Sequence, residues 1–557
     1  MATILDSIYR NWDPDSVVCR FLRAGSEERI TFGGLHEEAA RFSTLYRASG
    51  VRPGEFVFIV LRHSPDLLSA FLGALLIGSV PSFLPFPSEK QDPQRYWSSH
   101  RELFARTGVR AILTEPAYKA SLKDAAPDAI VLLAAEAHVL PPAGQAPARQ
   151  MPVGADADDI AFLQHSSGTT GFKKSVVLTH RMVIEQVKRY SGALSLTRAD
   201  RIVSWLPLYH DMGLIACLVM PLMCGVEFVM MDPFEWVYHP AMLFAAIQQF
   251  RATLAWLPNF AFQHLAQAVT DGASYDLSGM RAFISCSEPC KVETFRAFLG
   301  RFSSYGIRFE QLQVCYAMAE TVFAVTQTRP GTPVDVFEVD RRRFQEDGVA
   351  VQPTEGRASL SFVSAGQPIG GLTVCVLDRD GRPLPDRHVG EICVAGPCVF
   401  VGYFAEPPGR RVFHDEFYLT GDLGFTIEGR VVVTGRKKDV IISRGQNYYA
   451  HDIESLTNAI PGVKPGRVVA LGVYNSASGT EDVAVLAERA DGARADADVA
   501  RDIRRTLELE FDLAARVRIV PPGWLCKTTS GKISRSDNLD KYLAEGQSRP
   551  GRHGERL

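Results

Sequence analysis

The chain has little of several things, and each shortage excludes a class. No charge sign dominates: 60 Lys plus Arg stand against 63 Asp plus Glu, a formal net charge of -3. There is no basic field for nucleic acid. Cysteine is sparse, ten in 557 residues, and scattered. The nearest pair, Cys286 and Cys290, has no His or Cys cluster to complete a metal site, so reduced thiols in a cytosolic protein are expected. The start "MATILDSIYRNWDPD" has neither a basic end nor an apolar h-region, which speaks against a signal peptide. Long hydrophobic runs are also missing. The most apolar stretch, Leu67 to Phe86, is broken by Gly73, Gly78, Ser79 and two prolines. A membrane span needs ~20 continuous apolar residues, so this stretch reads as helix, turn, strand. Neither an internal repeat nor a long low-complexity segment is present. A cytoplasmic protein without a transmembrane segment is the expectation.

What is there resembles a soluble enzyme in balance, with 46% apolar and 22% charged residues. The length exceeds one compact core, so two or more domains are expected. Helix-spaced and buried-strand stretches alternate early: "EEAARFSTLYRASGV", "EFVFIVLR", "PDLLSAFLGALLIG", "AILT", "AIVLLAA". The alternation continues through Gly300, with "RATLAWLP" and "RAFISCS" as strands, and implies an α/β protein with mainly parallel sheet. From about Leu372 the texture changes to short strands joined by Asp-Gly and Gly turns, "TVCVLDRDGRPLP", "GEICVAG", "RVVVTG", as in a β-rich subdomain. After Gly435 the chain turns basic, "RKKDVIISRGQN", and a smaller α+β region follows. The expected units are 1–437, a mobile 438–545, and a disordered polar tail, 546–557.

The densest polar stretch is "HSSGTTGFKKS", His165 to Ser175. Ser166, Ser167, Thr169 and Thr170 supply hydroxyls, Gly168 and Gly171 let backbone N–H groups approach a phosphate, and Lys174 supplies charge. It follows the apolar run "IAFLQ" at a strand end. The mononucleotide P-loop spacing is absent, because Ser166 stands where the first Gly should be and Phe172 follows Gly171. Alone, the stretch is a phosphate loop or a solvated turn.

Its neighbours add to that reading. "SSGTTGFKKSVVLTH" resembles the signature loop of the adenylate-forming (ANL) superfamily: acyl-CoA synthetases, luciferases and adenylation domains of nonribosomal peptide synthetases. Lys173 and Ser175 replace the usual Pro and Gly. "WLPLYHDMGL", "SCSEP", "CYAMAET", "YLTGDLG", "GRKKDVIISRGQNYYAHDIE" and "KTTSGKISR" follow in the family's order. The resemblance runs from about Ser7 to about Tyr542. It implies a large N-terminal domain of mixed and parallel sheets sandwiched with helices, a β-rich subdomain, and a small mobile C-terminal domain. It also implies ATP and Mg²⁺, and joining of a carboxylic acid to AMP with release of pyrophosphate.

The resemblance carries roles residue by residue. The loop from Ser166 to Lys174 would hold the β- and γ-phosphates. Lys532 would bridge the acyl carboxylate and α-phosphate; a surface lysine in a Ser-Gly turn is the alternative. Glu320 would bind Mg²⁺, or be a helix-start carboxylate. Tyr316 would lie on adenine, or in the core. Ser287, Glu288 and Pro289 would form the adenine turn. Asp422 and Arg436 would reach the ribose; Asp422 also fits a turn former. His210 would line the carboxylate entrance, or be structural. Asp439 resembles the hinge residue, and Gly445 would border the thiol's approach or cap a helix.

Three features resemble the fatty acyl-AMP ligase branch, which loads a separate acyl carrier protein rather than CoA. They are the wording "LPLYHDMGLI", Ala319 before Glu320, and the segment from Val334 to Pro353, where that branch carries an insertion that restrains domain movement. A solvated excursion would look equally charged. Typical members have two glycines where Trp256 and Leu257 stand here. An indole beside an acyl tunnel would shorten it, which favours a short, branched or functionalised acid; a Trp256 turned into the core would not. A conventional acyl-CoA synthetase and a non-catalytic nucleotide-binding scaffold are the rival functions.

Overall fold

The computed structural model describes residues 3–23, 25–87, 93–142, 156–166, 174–269, 274–288, 290–406, 412–443, 446–475, 480–490, 494–511, 513–528 and 532–547. The strand Phe56–Val60, "FVFIV", is buried at every position. A strand apolar on both faces needs cover on both faces, which parallel sheets receive from their crossover helices. Phe56–Val60 pairs in parallel with Val80–Phe83 and Ala111–Thr114, and Ile130–Leu133 completes a four-stranded parallel sheet.

A second sheet has nine strands. In spatial order they are Gln367–Pro368, Ala324–Gln327, Leu312–Ala317, Ala282–Ser285, Leu254–Leu257, Arg201–Ser204, Glu227–Met231, Val17–Arg23 and Ser26–Thr31. Leu312–Ala317 through Val17–Arg23 run parallel; the edges are antiparallel. The helices Phe32–Ala48 and Asp66–Leu76 pack together at Gly73. A Cβ there would meet the Ala39 carbonyl oxygen and Phe42 Cβ, both at 2.7 Å, so only glycine allows this approach.

The β-rich part is a five-stranded antiparallel sheet of Thr373–Leu377, Gly390–Ala395, Phe413–His414, Phe417–Ile427 and Arg430–Arg436. Beyond it, Val463–Asn475, Thr480–Arg489 and Ala515–Val520 form a three-stranded sheet with the helices Ala450–Asn458, Asp496–Phe511 and Arg535–Gln547. These carry a core of their own, with Ile441, Ile453, Val485, Ile503 and Leu507 buried together. The final helix runs two residues past the boundary expected at 545, and its apolar Leu539 and Tyr542 pack on the sheet. The expected tail from 548 onward lies outside the described residues. Among the described residues no helix is long and apolar enough to cross a membrane.

The segment from Val334 to Pro353 is not a loose excursion. It forms the strand Val336–Asp340 and the helix Arg341–Asp347. Val339, Phe344 and Ala350 share a small core with Phe362, Phe425 and Val432. Its charges take the exposed face as i,i+4 pairs, Arg342 with Glu346 and Arg343 with Asp347.

Candidate functional site

The expected phosphate loop is anchored by an antiparallel pair, Ile160–Ser166 with Lys174–Thr179, whose register sets Ser166 opposite Lys174. Ser167, Gly168, Thr169, Thr170 and Gly171 lie outside the described residues, as do Pro289 and Gly445. Lys174 Nζ sits 3.3 Å from Glu406 and 4.1 Å from the centre of the Tyr403 ring.

Tyr316 lies near the end of the strand Leu312–Ala317, and Glu320 follows just beyond it. Ligands of α/β sheets gather at such carboxyl ends. The backbone there is strained: Val322, β-branched, holds φ at +67°, and Ser287, in the turn after the neighbouring strand, at +71°. Left-handed φ at non-glycine residues is costly and concentrates at functional sites.

Tyr316 Oη donates to Asp422 Oδ2 at 2.7 Å, and Arg436 Nε lies 3.2 Å from Asp422 Oδ1. The register explains the second contact, since Asp422 and Arg436 stand directly opposite across Phe417–Ile427 and Arg430–Arg436. Burial, then the Asp422 charge, pushes the Tyr316 phenol well above its ordinary range, so it stays a donor. Each Asp422 oxygen has a protein partner and keeps a further lone pair for a hydroxyl.

Glu320 is half-buried. Tyr403 Oη donates to its Oε1 at 2.7 Å, and Tyr418 Oη lies 3.2 Å from Tyr403 Oη. Mg²⁺ takes one or two carboxylates together with substrate phosphates. A carboxylate whose hydroxyl partner, Tyr403, also lies under Lys174 fits that demand.

His210 precedes a π-helical stretch, Met212–Val219, a rare form found often at functional sites. Its neighbour Asp211 accepts the Met212 N–H at 2.8 Å. Burial pushes the Asp211 carboxyl up to about 6, with Lys532 opposing the shift and Glu320 adding to it. Asp211, Tyr403, Tyr418 and Glu406 were not singled out by sequence reasoning. The wording "YHD" touched Asp211 and "YLTGDLG" began at Tyr418, without giving either a role.

Lys532 comes from the far end of the chain. The Thr528 N–H donates to the Lys532 carbonyl at 2.7 Å, and Lys527 bridges Ile533, so the motif folds back tightly on itself. Lys532 Nζ is exposed and donates to the Ser287 carbonyl at 2.9 Å. Glu288 of the same turn accepts the Phe260 N–H at 3.1 Å. Asp439 pairs with Arg535 at 2.7 Å, and Arg535 also holds Glu454 at 2.6 Å.

Trp256 is wholly buried. Its indole N–H donates to Tyr190 Oη at 2.8 Å, and Tyr190 donates on to Gln327 at 2.9 Å. Leu257 is buried too. Successive strand residues face opposite sides, so the two side chains do not close one tunnel together.

The family model described as "AMP-binding enzyme" matches residues 10–404. A Caulobacter vibrioides protein carrying the provisional name acyl-CoA synthetase is 30% identical over 537 residues, covering 94% of this chain and 92% of its own. The medium-chain-fatty-acid–[acyl-carrier-protein] ligase JamA of Moorena producens is 32% identical over 407 residues, 70% of this chain and 68% of its own. A structure from studies of fatty acyl-adenylate ligases of E. coli and L. pneumophila superposes with a TM-score of 0.88 at 27% identity, covering 99% of both chains. With the family model matching from residue 10 to residue 404, the chain belongs to the AMP-binding enzyme family.

Proposed function

We propose that the chain is an acyl-AMP ligase. It activates a carboxylic acid with ATP, releases pyrophosphate, and passes the acyl group to the pantetheine thiol of a separate carrier protein. The observation that carries the reading is Lys532 Nζ lying 2.9 Å from the Ser287 carbonyl, on the same site as Tyr316, Glu320 and Asp422.

The acid's carboxylate attacks the α-phosphorus, and pyrophosphate leaves. Two anions must meet, so the chain's task is neutralisation and alignment. Lys532 sits between the attacking carboxylate and the α-phosphate, with its proton kept throughout. Lys174 and the loop before it hold the β- and γ-phosphates. Tyr316 stacks on adenine, with Ser287 and Glu288 at its edge, and Asp422 and Arg436 fix the ribose. His210 borders the acid's entry. Glu320 would hold Mg²⁺, which when bound offsets phosphate charge. Asp439 serves as the hinge that withdraws Lys532 for thiol attack. Trp256 turns into the core, where its indole N–H bonds Tyr190, so no chain-length limit is proposed from it; better turnover of C4–C8 acids than of laurate would overturn that point.

The carrier acceptor is supported by the JamA likeness and by the packed 334–353 segment. That segment grips the small region. Arg341 pairs with Glu510 at 3.3 Å and lies over the Phe511 ring at 5.9 Å, and Phe344 meets Tyr449 at 6.0 Å. A CoA acceptor is the second reading, favoured by the name of the Caulobacter relative. The test is acid-dependent pyrophosphate release across a carboxylate panel, with mass spectrometry of products with and without CoA. Acyl-AMP that persists with CoA supports carrier loading. Conversion to acyl-CoA selects the second reading, and no pyrophosphate with any acid removes both.

A further inference from the structure

The segment Phe400 to Phe404 holds two parts of the site at once. The Phe400 N–H donates to the Glu320 carbonyl at 2.7 Å. Four residues on, the Phe404 N–H donates to the Ser175 carbonyl at 2.8 Å, and Tyr403 bridges Val176. One short stretch therefore pins the turn of Glu320 to the strand that begins at Lys174. The Tyr403 side chain repeats the link. Its hydroxyl donates to Glu320 Oε1 at 2.7 Å, and its ring lies 4.1 Å below Lys174 Nζ.

The ring is itself held in place. Phe400 packs against Tyr403 at 4.8 Å and Tyr418 at 5.0 Å, and Tyr418 Oη stands 3.2 Å from Tyr403 Oη. Burial and the Glu320 charge keep the Tyr403 phenol protonated, so it remains a donor. A hydrogen bond to a charged acceptor is stronger and more directional than a neutral one. A cation over an aromatic face is attracted to it.

We propose that Tyr403 is a positioning residue: it ties the lysine of the phosphate loop to the carboxylate expected to bind magnesium, so that both are set for one triphosphate. The proposal rests on the acyl-AMP ligase reading for the identity of the nucleotide. It adds a residue outside every motif that suggested the function. Glu406 completes the arrangement. At 3.3 Å from Lys174 it occupies the lysine's charge, and a phosphate must take its place.

The test uses the full chain and two variants, Tyr403→Phe and Tyr403→Leu. ATP binding is measured by calorimetry without acid, across a magnesium series and in chelator. Tyr403→Phe keeps the ring and loses only the hydroxyl. The magnesium concentration at half-maximal ATP affinity should rise ~10-fold, with chelator binding within ~2-fold of the parent. Tyr403→Leu should show the same shift and weaken chelator binding by a further ~3-fold, because Lys174 loses its aromatic support. In turnover the acid's KM should stay unchanged in Tyr403→Phe. An unmoved magnesium dependence in Tyr403→Phe, or tighter magnesium binding, overturns the proposal. So does an equal loss with magnesium and in chelator. Melting curves of both variants identify a merely structural loss, which would lower Tm and every parameter together. If the parent releases no pyrophosphate with any acid, the ligase reading fails; ATP binding still decides the role of Tyr403.

Discussion

The nucleotide side and the lysine side of the site are held by different means. On the nucleotide side, Tyr316, Asp422 and Arg436 are locked by strand register and short bonds, with Tyr316 in the main core. On the other side Lys532 is exposed, and its ammonium donates to a backbone carbonyl. The small region meets the large one through the polar pairs Lys291 with Asp452, Arg341 with Glu510, and Lys532 with Ser287, and through the ring contact of Phe344 with Tyr449. It has its own apolar core. Polar, partly exposed contacts are cheap to break, whereas register in a packed sheet is not. The difference teaches that one half of the site is preorganised and the other is delivered.

The largest effect should come from removing the delivered group. Lys532→Ala should lower adenylation kcat by ~10³-fold, with ATP affinity by calorimetry nearly unchanged; loss of ATP affinity would contradict the division. Next, Asp422→Ala strips the preorganised half and leaves Tyr316 and Arg436 without their acceptor. The KM for ATP should rise ~100-fold, and the effect should persist in the Lys532→Ala background when ATP binding is read. Arg535→Met leaves Asp439 and Glu454 as neighbouring unpaired carboxylates. Hydrogen exchange should show the small region's helices less protected by about 3 kcal/mol, with the nine-stranded sheet unaffected. Arg341→Ala should alter adenylation by less than ~2-fold, as exposed pairs contribute about 1 kcal/mol or less. Acyl-CoA formed with CoA present should rise if that grip restrains the small region.

The smallest effect concerns acid. Burial holds His63, His180 and His451 at about 4, below the ordinary 6.5. Their neutral forms favour the folded chain fully above pH 6.5, and that contribution is lost as the pH falls from 6.5 through 4, because the unfolded chain takes up the protons first. Tm should fall over that window. His451→Gln should flatten the fall for the small region only, and His180→Gln for the large one.

Legibility follows the same division. The strands were readable where burial on both faces leaves a run such as "FVFIV" or "AILT", and the helix of "PDLLSAFLGALLIG" ends close to its glycine as expected. The 334–353 segment was readable as charged but not as packed, because Val339 and Phe344 find their apolar partners in Phe362 and Phe425. Trp256 left two placements open, since the indole's partner, Tyr190, lies 66 residues away.

By itself the sequence determined what local order and residue type can carry: alternating elements, an α/β class, and the motif residues in their order along the chain. Only the tertiary structure decided which of them meet. Asp422 faces Arg436 through a ladder register, and Tyr403 reaches Glu320 across 83 residues. Lys532 reaches Ser287 across 245. Periodicity records which face of an element is buried and says nothing of the group that buries it. Pairings at such separations close only when the sheets and the second core are already in place, so no local stretch encodes them.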